Sequence, residues 1–98
     1  MYFVLEYQLV PDYLERRPAF RARHLTAANA AVARGELRLA GALGDPVDRA
    51  LLVFQGADAS VAEDFARNDP YVLEGLVRAW SVRPWSVVIG ADYRGAAP

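Results

Sequence analysis

The chain contains one histidine, His24, and its position makes it the first residue to consider for proton chemistry. The spacing of apolar residues predicts a helix over 18–34, and at about 100° per residue His24 falls near the middle of its inward face. The residues expected on that face are Phe20, Arg21, His24, Leu25, Ala27, Ala28, Ala31 and Val32. Because the neighbours of His24 at i+3, i+4 and i+7 are all alanines, either the helix lies very close to its support or a space opens beside the imidazole.

Asp69 is the carboxylate that the sequence places on a comparable stripe. A second helix is predicted over 60–68, begun by a capping box of Ser60 and Glu63, and Asp69 follows Phe65 by four residues. Asp69 is therefore expected to point towards the core. A carboxylate beside a buried imidazole orients one ring nitrogen and makes the ring a better proton acceptor, as a general base requires.

Both residues also have an interpretation without chemistry. His24 could be a core histidine that is hydrogen-bonded to a carbonyl or to Asp69. Asp69 directly precedes Pro70, a position at which aspartate commonly caps a helix. Capping does not exclude a second role, so these alternatives stay open at the level of sequence.

Other side chains add less to the predicted chemistry. Arg21, three residues before His24, could place a cation over an anionic substrate or pair with an acid, and Tyr71 and Trp85 are expected in the core or in a pocket wall. The serines have no His-Asp pair at motif spacing, which disfavours acyl transfer. One histidine and scattered carboxylates give no chelating spacing, so no metal site is predicted.

Composition removes whole classes of function. Lysine and cysteine are both absent, which excludes Schiff-base lysines, thiol nucleophiles, disulfides and thiolate metal sites. The net charge is −1 and the eleven basic residues are all arginine and spread along the chain, so nucleic acid is not an expected partner. The start of the chain lacks the basic region of a signal peptide, and no apolar run reaches membrane-spanning length. A cytoplasmic, bacterial protein without a cofactor is the expectation.

The chain of 98 residues has the length of one domain, and its elements follow the order βαββαβ. The predicted elements are strands 2–10, 36–43, 50–55 and 79–89 with helices 18–34 and 60–68, and residues 91–98 are expected to form a flexible tail. Leu37, Leu39, Gly41 and Leu43 are expected on one side of the second strand. This order predicts an α+β, ferredoxin-like fold with a four-stranded antiparallel sheet and both helices on one face.

The helix-free face of that sheet is expected to be apolar. Alternation in the first strand puts Tyr2 and Val4, or else their alternates, there, together with one of the two tryptophans of the last strand. A face of this kind in contact with water lowers solubility, so a homodimer that buries it is predicted.

Four segments together resemble the YciI-like (YCII-related) proteins. They read RARHL over 21–25, GELRLAGAL over 35–43, NDPY over 68–71 and VRPW over 82–85. Their order and spacing extend the resemblance from Phe3 to Gly90. The sequence departs from the family pattern after Gly41, where a proline often stands, so the loop at that edge of the pocket is expected to differ.

The resemblance implies a ferredoxin-like fold in a dimeric α+β barrel type of assembly, with a histidine and an aspartate at a pocket. Carried over by the matching motifs, these residues are His24 and Asp69, with Arg21, Tyr71 and Gly41 as expected substrate-binding positions. One branch of the family eliminates HCl from a chlorinated hydroxyquinol, and the fold is similar to that of muconolactone isomerases.

Two functions follow from these observations. The first is a cofactor-independent enzyme of the lyase (dehydrochlorinase) or isomerase type, in which His24, polarised by Asp69, moves a proton on a cyclic or aromatic small molecule. The second is a non-catalytic ligand-binding or accessory domain in which the same pair only holds a small acid. Composition does not separate the two.

Overall fold

The molecule is a four-stranded antiparallel sheet with its helices packed against one face. The computed structural model describes residues 1–91, so the predicted tail lies, from residue 92 onwards, outside the described residues. In chain order the elements are β1 (Tyr2–Leu9), α1 (Tyr13–Arg16), a 3₁₀ turn (Arg17–Ala19), α2 (Arg21–Ala33), β2 (Leu37–Leu43), β3 (Arg49–Gln55), α3 (Ser60–Asn68), α4 (Pro70–Leu73) and β4 (Val77–Trp85). The strand order β2-β3-β1-β4 confirms the predicted ferredoxin-like α+β fold.

Strand β1 is central and its alternation creates the core. Its residues Phe3, Leu5, Tyr7 and Leu9 are all buried, and Leu5 lies opposite Leu52 of β3 and Val82 of β4. Side chains of a strand point alternately to its two faces, so these four residues share the face that the helices cover. Within residues 1–91, no helix is long and apolar enough to cross a membrane.

Helix α2 begins at Arg21, so the predicted start at residue 18 is wrong. Pro18 lies instead in the 3₁₀ turn, where its missing N–H is tolerated, and Phe20 leaves the helical region with φ −121° and ψ −3°. The carbonyl of Phe20 then accepts the first bond of α2, from the backbone N–H of His24 at 3.0 Å. The side chain of Phe20 packs against the core, which fixes the chain at this break.

The inward face of α2 is narrower than predicted. Only Ala31 is fully buried and His24, Ala27 and Ala28 are partly buried, whereas Leu25 and Val32 are 41% and 53% exposed. The contact stripe consists of alanines, so the flanking larger side chains lie at its edges and reach solvent. Gly35 ends the helix as predicted, at φ 79°, a conformation that glycine adopts without a Cβ penalty.

A bulge in β2 overturns the expected side-chain pattern of that strand. Leu37 lies opposite Phe54 but Leu39 lies opposite the adjacent Val53, so Arg38 is the extra residue. Leu37 is therefore buried on the helix side, while Leu39 is 73% exposed on the helix-free face. Leu39, Gly41 and Leu43 share that face, and Ala40 and Ala42 lie on the helix side. The bulge thus places two small side chains beneath the helices.

Strand β4 runs from Val77 to Trp85 rather than over 79–89. Trp85 lies opposite Tyr2, the first residue of β1, so residues 86–91 have no neighbouring strand in the described part of the chain to pair with. The capping box predicted for α3 is also absent. Ala59 is the N-cap residue, and the backbone N–H of Ser60 donates instead to Oδ1 of Asp58 at 2.9 Å. Hydrogen bonding by the side chain of Ser60, and next by its backbone, lowers the pKa of the Asp58 carboxyl.

Candidate active site

His24 and Asp69 lie in direct contact. Nδ1 of His24 is 2.8 Å from Oδ1 of Asp69, and the side chain of His24 is 16% exposed while that of Asp69 is fully buried. With an ionised carboxylate as the acceptor, Nδ1 donates the hydrogen bond and the neutral ring has no hydrogen on Nε2. In that tautomer of the neutral ring, Nε2 is free to accept a proton.

Asp69 is held by three donors. Its Oδ1 accepts from His24 and from the backbone N–H of Tyr71 at 3.0 Å, and its Oδ2 accepts from the hydroxyl of Tyr7 at 2.7 Å. Pro70 favours extended geometry at the preceding residue, and Asp69 has φ −70° and ψ 124°, which ends α3 and caps α4. Asp69 therefore combines the predicted capping position with the predicted coreward orientation. A buried carboxylate requires partners of this kind.

The hydroxyl of Tyr7 is a permanent donor to this carboxylate. Burial, and next the charge of Asp69 and the hydrogen bond to it, raise the pKa of Tyr7 well above its usual range. The phenol therefore stays protonated and fixes the orientation of Asp69.

Aromatic rings hold the imidazole. The ring of Tyr71 stacks on that of His24 with centroids 3.8 Å apart and planes 7° from parallel, and Phe65 meets it edge-on at 6.5 Å. Tyr13 in turn packs edge-on against Tyr71 at 5.7 Å. These contacts restrict rotation of the His24 ring and keep Nδ1 directed at Asp69.

A cavity of about 340 Å³ opens beside His24, within the size range of small-molecule sites. Its lining residues are Tyr7, Tyr13, Arg17, Arg21, His24, Leu25, Ala28, Ala40, Gly41, Ala42, Ala50, Leu52 and Tyr71. The structure thus brings His24, Arg21, Tyr71 and Gly41 to one cavity, with Asp69 behind His24 rather than in the wall. Small side chains on α2, β2 and β3, namely Ala28, Ala40, Ala42 and Ala50, leave this space, which is one of the two alternatives that the alanines near His24 left open.

Two of the predicted residues, Gly41 and Trp85, line a second cavity, on the helix-free face of the sheet. Gly41 lines the cavity beside His24 from β2, but its side-chain position is on the helix-free face, where it also lines the second cavity. Trp85 is 49% exposed and lines the second cavity. The structure therefore does not bring Trp85 to His24.

Two residues that line the cavity beside His24 each carry a buried polar atom without a partner in the described protein. The two atoms are the hydroxyl of Tyr71 and Nε of Arg17. An unsatisfied buried donor costs about 1–3 kcal/mol, so such atoms call for an explanation. Burial is the main cause that raises the pKa of the Tyr71 hydroxyl, and electrostatic interaction with Tyr13 is the next. The positive charges of Arg21 and Arg17 lower this pKa. Arg21 itself is exposed and forms no ion pair with residues 1–91.

Sequence reasoning missed Tyr7 and Arg17 as residues of this site. Tyr7 carried a usable signal, because a tyrosine on the buried side of a strand needs an acceptor for its hydroxyl. The acceptor lies 62 residues away in the chain, which no local pattern indicates. Arg17 lies in a short charged turn, and nothing in its sequence neighbourhood points to a cavity.

Fold and site together define an α+β protein of the ferredoxin-like class with a His-Asp pair at a small cavity. The chain matches the YCII-related domain over residues 1–86 and belongs to that family. It is similar to an uncharacterized protein of Haemophilus influenzae (strain ATCC 51907 / DSM 11121 / KW20 / Rd), with 32% identity over 97 residues that cover 90% of this chain and 99% of the relative.

A solved structure has the same fold. It is the 5-chloro-2-hydroxyhydroquinone dehydrochlorinase from Burkholderia phenoliruptrix AC1100, in complex with 2,5-dihydroxybenzoquinone. The TM-score is 0.72 at 21% sequence identity, over 88% of this chain and 94% of that chain. At this identity the likeness establishes a common fold.

Proposed function

We propose that this protein is a small-molecule enzyme in which Nε2 of His24 removes a proton from a cyclic or aromatic compound held in the cavity. The observation that carries the proposal is the 2.8 Å contact between Nδ1 of His24 and Asp69 at the wall of a cavity of about 340 Å³. The buried carboxylate stabilises the imidazolium that forms, and the stacked Tyr71 keeps the ring in place.

The proposed chemistry balances without a cofactor. In an elimination, the substrate reacts as a keto tautomer whose leaving group is on a tetrahedral ring carbon. Nε2 takes a proton from a neighbouring carbon or a hydroxyl, the electron pair forms a new double bond, the leaving group departs as an anion, and the imidazolium then releases its proton to water. In an isomerisation, the imidazolium returns the proton to a different carbon. Both need a base with a fixed tautomer next to bound substrate, and a positioned base of this kind contributes a factor of about 10²–10⁴.

The structural neighbour indicates which compounds to test. Its name describes a dehydrochlorinase of a chlorinated hydroxyhydroquinone, and its ligand is a single hydroxylated ring. A cavity of about 340 Å³ has room for a molecule of that size. A hydroxylated six-membered ring with a leaving group is therefore the first substrate class to examine, with unsaturated lactones as the second.

The test is a turnover assay on purified protein with a panel of halogenated hydroxyhydroquinones and unsaturated lactones. Chloride release is measured for the first group and ultraviolet absorbance for the second. We expect turnover of at least one compound that disappears in His24→Gln. Binding of several compounds by both proteins, with turnover of none, would contradict the proposal and favour a ligand-binding domain.

We also propose that the protein is a homodimer through the helix-free face of the sheet. That face exposes Leu39 and Leu43 beside Trp85, at 73%, 49% and 49% exposure. A shallow, mainly apolar cavity of about 780 Å³ runs across it. An apolar patch of this kind on a small domain is typical of an interface, and a second copy presents the same surface.

Leu39→Glu is expected to shift the protein from dimer to monomer, because it puts a charge into the apolar face. Light scattering coupled to size-exclusion chromatography measures the mass at micromolar concentration. Leu73→Glu is the matched control, since Leu73 of α4 is 66% exposed on the helix side. A monomer mass for the unaltered protein would rule out this interface.

A further inference from the structure

The cavity beside His24 has an unbalanced charge. Two of its lining residues, Arg17 and Arg21, carry guanidinium groups, and no carboxylate is among the lining residues. The nearby carboxylate of Asp69 lies behind His24, and three donors already occupy it. The lining residues therefore contribute two positive charges and no negative one, and the nearby negative charge is that of Asp69, which also acts on the Tyr71 hydroxyl.

The arginines of the described residues divide into those with a carboxylate partner and those without one, and Arg17 and Arg21 belong with Arg16, Arg38, Arg78 and Arg83 in the second group. Arg23, Arg34, Arg49 and Arg67 each lie within 4.0 Å of a carboxylate oxygen. Arg17 and Arg21 form no such pair in the part of the chain that the structure describes. The guanidinium of Arg17 instead lies 5.7 Å from the ring centroid of Tyr13.

The same wall contains two buried donors without protein acceptors. Tyr71 is 3% exposed, and its hydroxyl and Nε of Arg17 find no acceptor among the described residues. The positive charges of Arg21 and Arg17 counteract part of the rise in the pKa of Tyr71, so both cations act on its hydroxyl. The residues that line the cavity thus supply two guanidinium groups, one of them with an unsatisfied Nε, and one unsatisfied hydroxyl, and an anionic oxygen is the acceptor that suits these three groups best.

We propose that Arg17, Arg21 and the hydroxyl of Tyr71 form an anion subsite that binds an ionised oxygen, enolate, phenolate or carboxylate, on the ring of the ligand. The inference rests on the proposed function for its cavity, but the binding itself requires no chemistry. It narrows the substrate class to acidic ring compounds. Proton removal creates negative charge on the ring, and a ligand bound in this subsite has that charge opposite the two arginines.

Binding of matched probes tests the subsite directly. The enolate pair is 2,5-dihydroxybenzoquinone and its neutral dimethyl ether, 2,5-dimethoxybenzoquinone, and the carboxylate pair is benzoate and benzamide. Isothermal titration calorimetry at low salt is expected to show about 10–100-fold tighter binding of the ionised member of at least one pair. The pair that shows the difference identifies the type of anion.

Variants assign that preference to the named residues. The double variant Arg17→Met, Arg21→Met is expected to bind ionised and neutral probes about equally, whereas Arg67→Met, which removes one positive charge on α3 away from the cavity, keeps the preference. Tyr71→Phe is expected to weaken binding of the ionised probe without lowering the unfolding midpoint, because it deletes a donor that has no protein partner. If this hydroxyl has only a structural role, Tyr71→Phe should lower the unfolding midpoint and leave binding of the ionised probe unchanged.

The outcomes separate this inference from the proposed function. Three results would overturn the subsite. The unaltered protein could bind both members of each pair with equal affinity, it could bind no ionised probe, or the double variant could keep the full preference for the ionised probe. Anion binding that depends on the two arginines, without His24-dependent turnover of any compound, would leave the subsite intact and remove the proposed enzyme activity.

Discussion

His24→Gln is expected to lower kcat/KM by about 10²–10⁴-fold for any compound that the protein turns over. Glutamine can still donate a hydrogen bond to Asp69, so the buried carboxylate keeps a partner, but an amide does not accept the substrate proton. The fold and the assembly state should therefore stay as in the unaltered protein. Initial rates, circular dichroism and light scattering measure these three properties on one preparation.

A matched control for this variant is Asn29→Gln, on the exposed side of α2. It should leave kcat/KM unchanged, because Asn29 does not line the cavity. Full activity of His24→Gln would show that the His24 and Asp69 pair is structural. If His24→Gln loses both its activity and its fold, the Asp69 variants described below separate the catalytic role of the pair from its structural role.

Asp69→Ala is expected to destabilise the protein by about 3–5 kcal/mol. It removes the acceptor of three hydrogen bonds and leaves the hydroxyl of Tyr7, the backbone N–H of Tyr71 and Nδ1 of His24 in a buried region without that acceptor. The loss is large for a domain of this size, whose total stability is typically about 5–15 kcal/mol. Urea unfolding followed by tryptophan fluorescence measures the difference.

Asp69→Asn separates packing from charge at the same position. The amide oxygen can accept from His24 and Tyr71 while the amide nitrogen faces Tyr7, so most of the stability should remain. Activity should still fall, because an uncharged partner stabilises the imidazolium less than a carboxylate does. Equal stability of Asp69→Ala and the unaltered protein would contradict the described hydrogen-bond network.

Much of the fold was predictable because its determinants are local and periodic. The alternation of Phe3, Leu5, Tyr7 and Leu9 specifies a strand with one buried face, and Gly35 marks the end of α2 through its conformational freedom. The positions of His24 and Asp69 on inward stripes followed from helical spacing, and the structure places their side chains 2.8 Å apart.

The rest depends on contacts that no local pattern indicates. The bulge at Arg38 leaves the apolar alternation of β2 intact in the sequence while moving Leu39 to the other face. The end of β4 at Trp85 depends on where β1 begins, in a distant part of the chain. Tyr7 meets Asp69 only through the tertiary fold. Such features arise from pairing between elements, which local propensity does not encode.

Nitrogen NMR of His24 tests the central claim most directly. Since His24 is the only histidine, labelling histidine with nitrogen-15 reports on one imidazole without assignment. We predict that the neutral ring carries its hydrogen on Nδ1, that Nε2 has the shift of an unprotonated nitrogen, and that 2,5-dihydroxybenzoquinone perturbs Nε2 more than Nδ1. A neutral ring with its hydrogen on Nε2, or an Nε2 signal that does not respond to the ligand at saturation, would contradict a role for His24 as the base of this cavity.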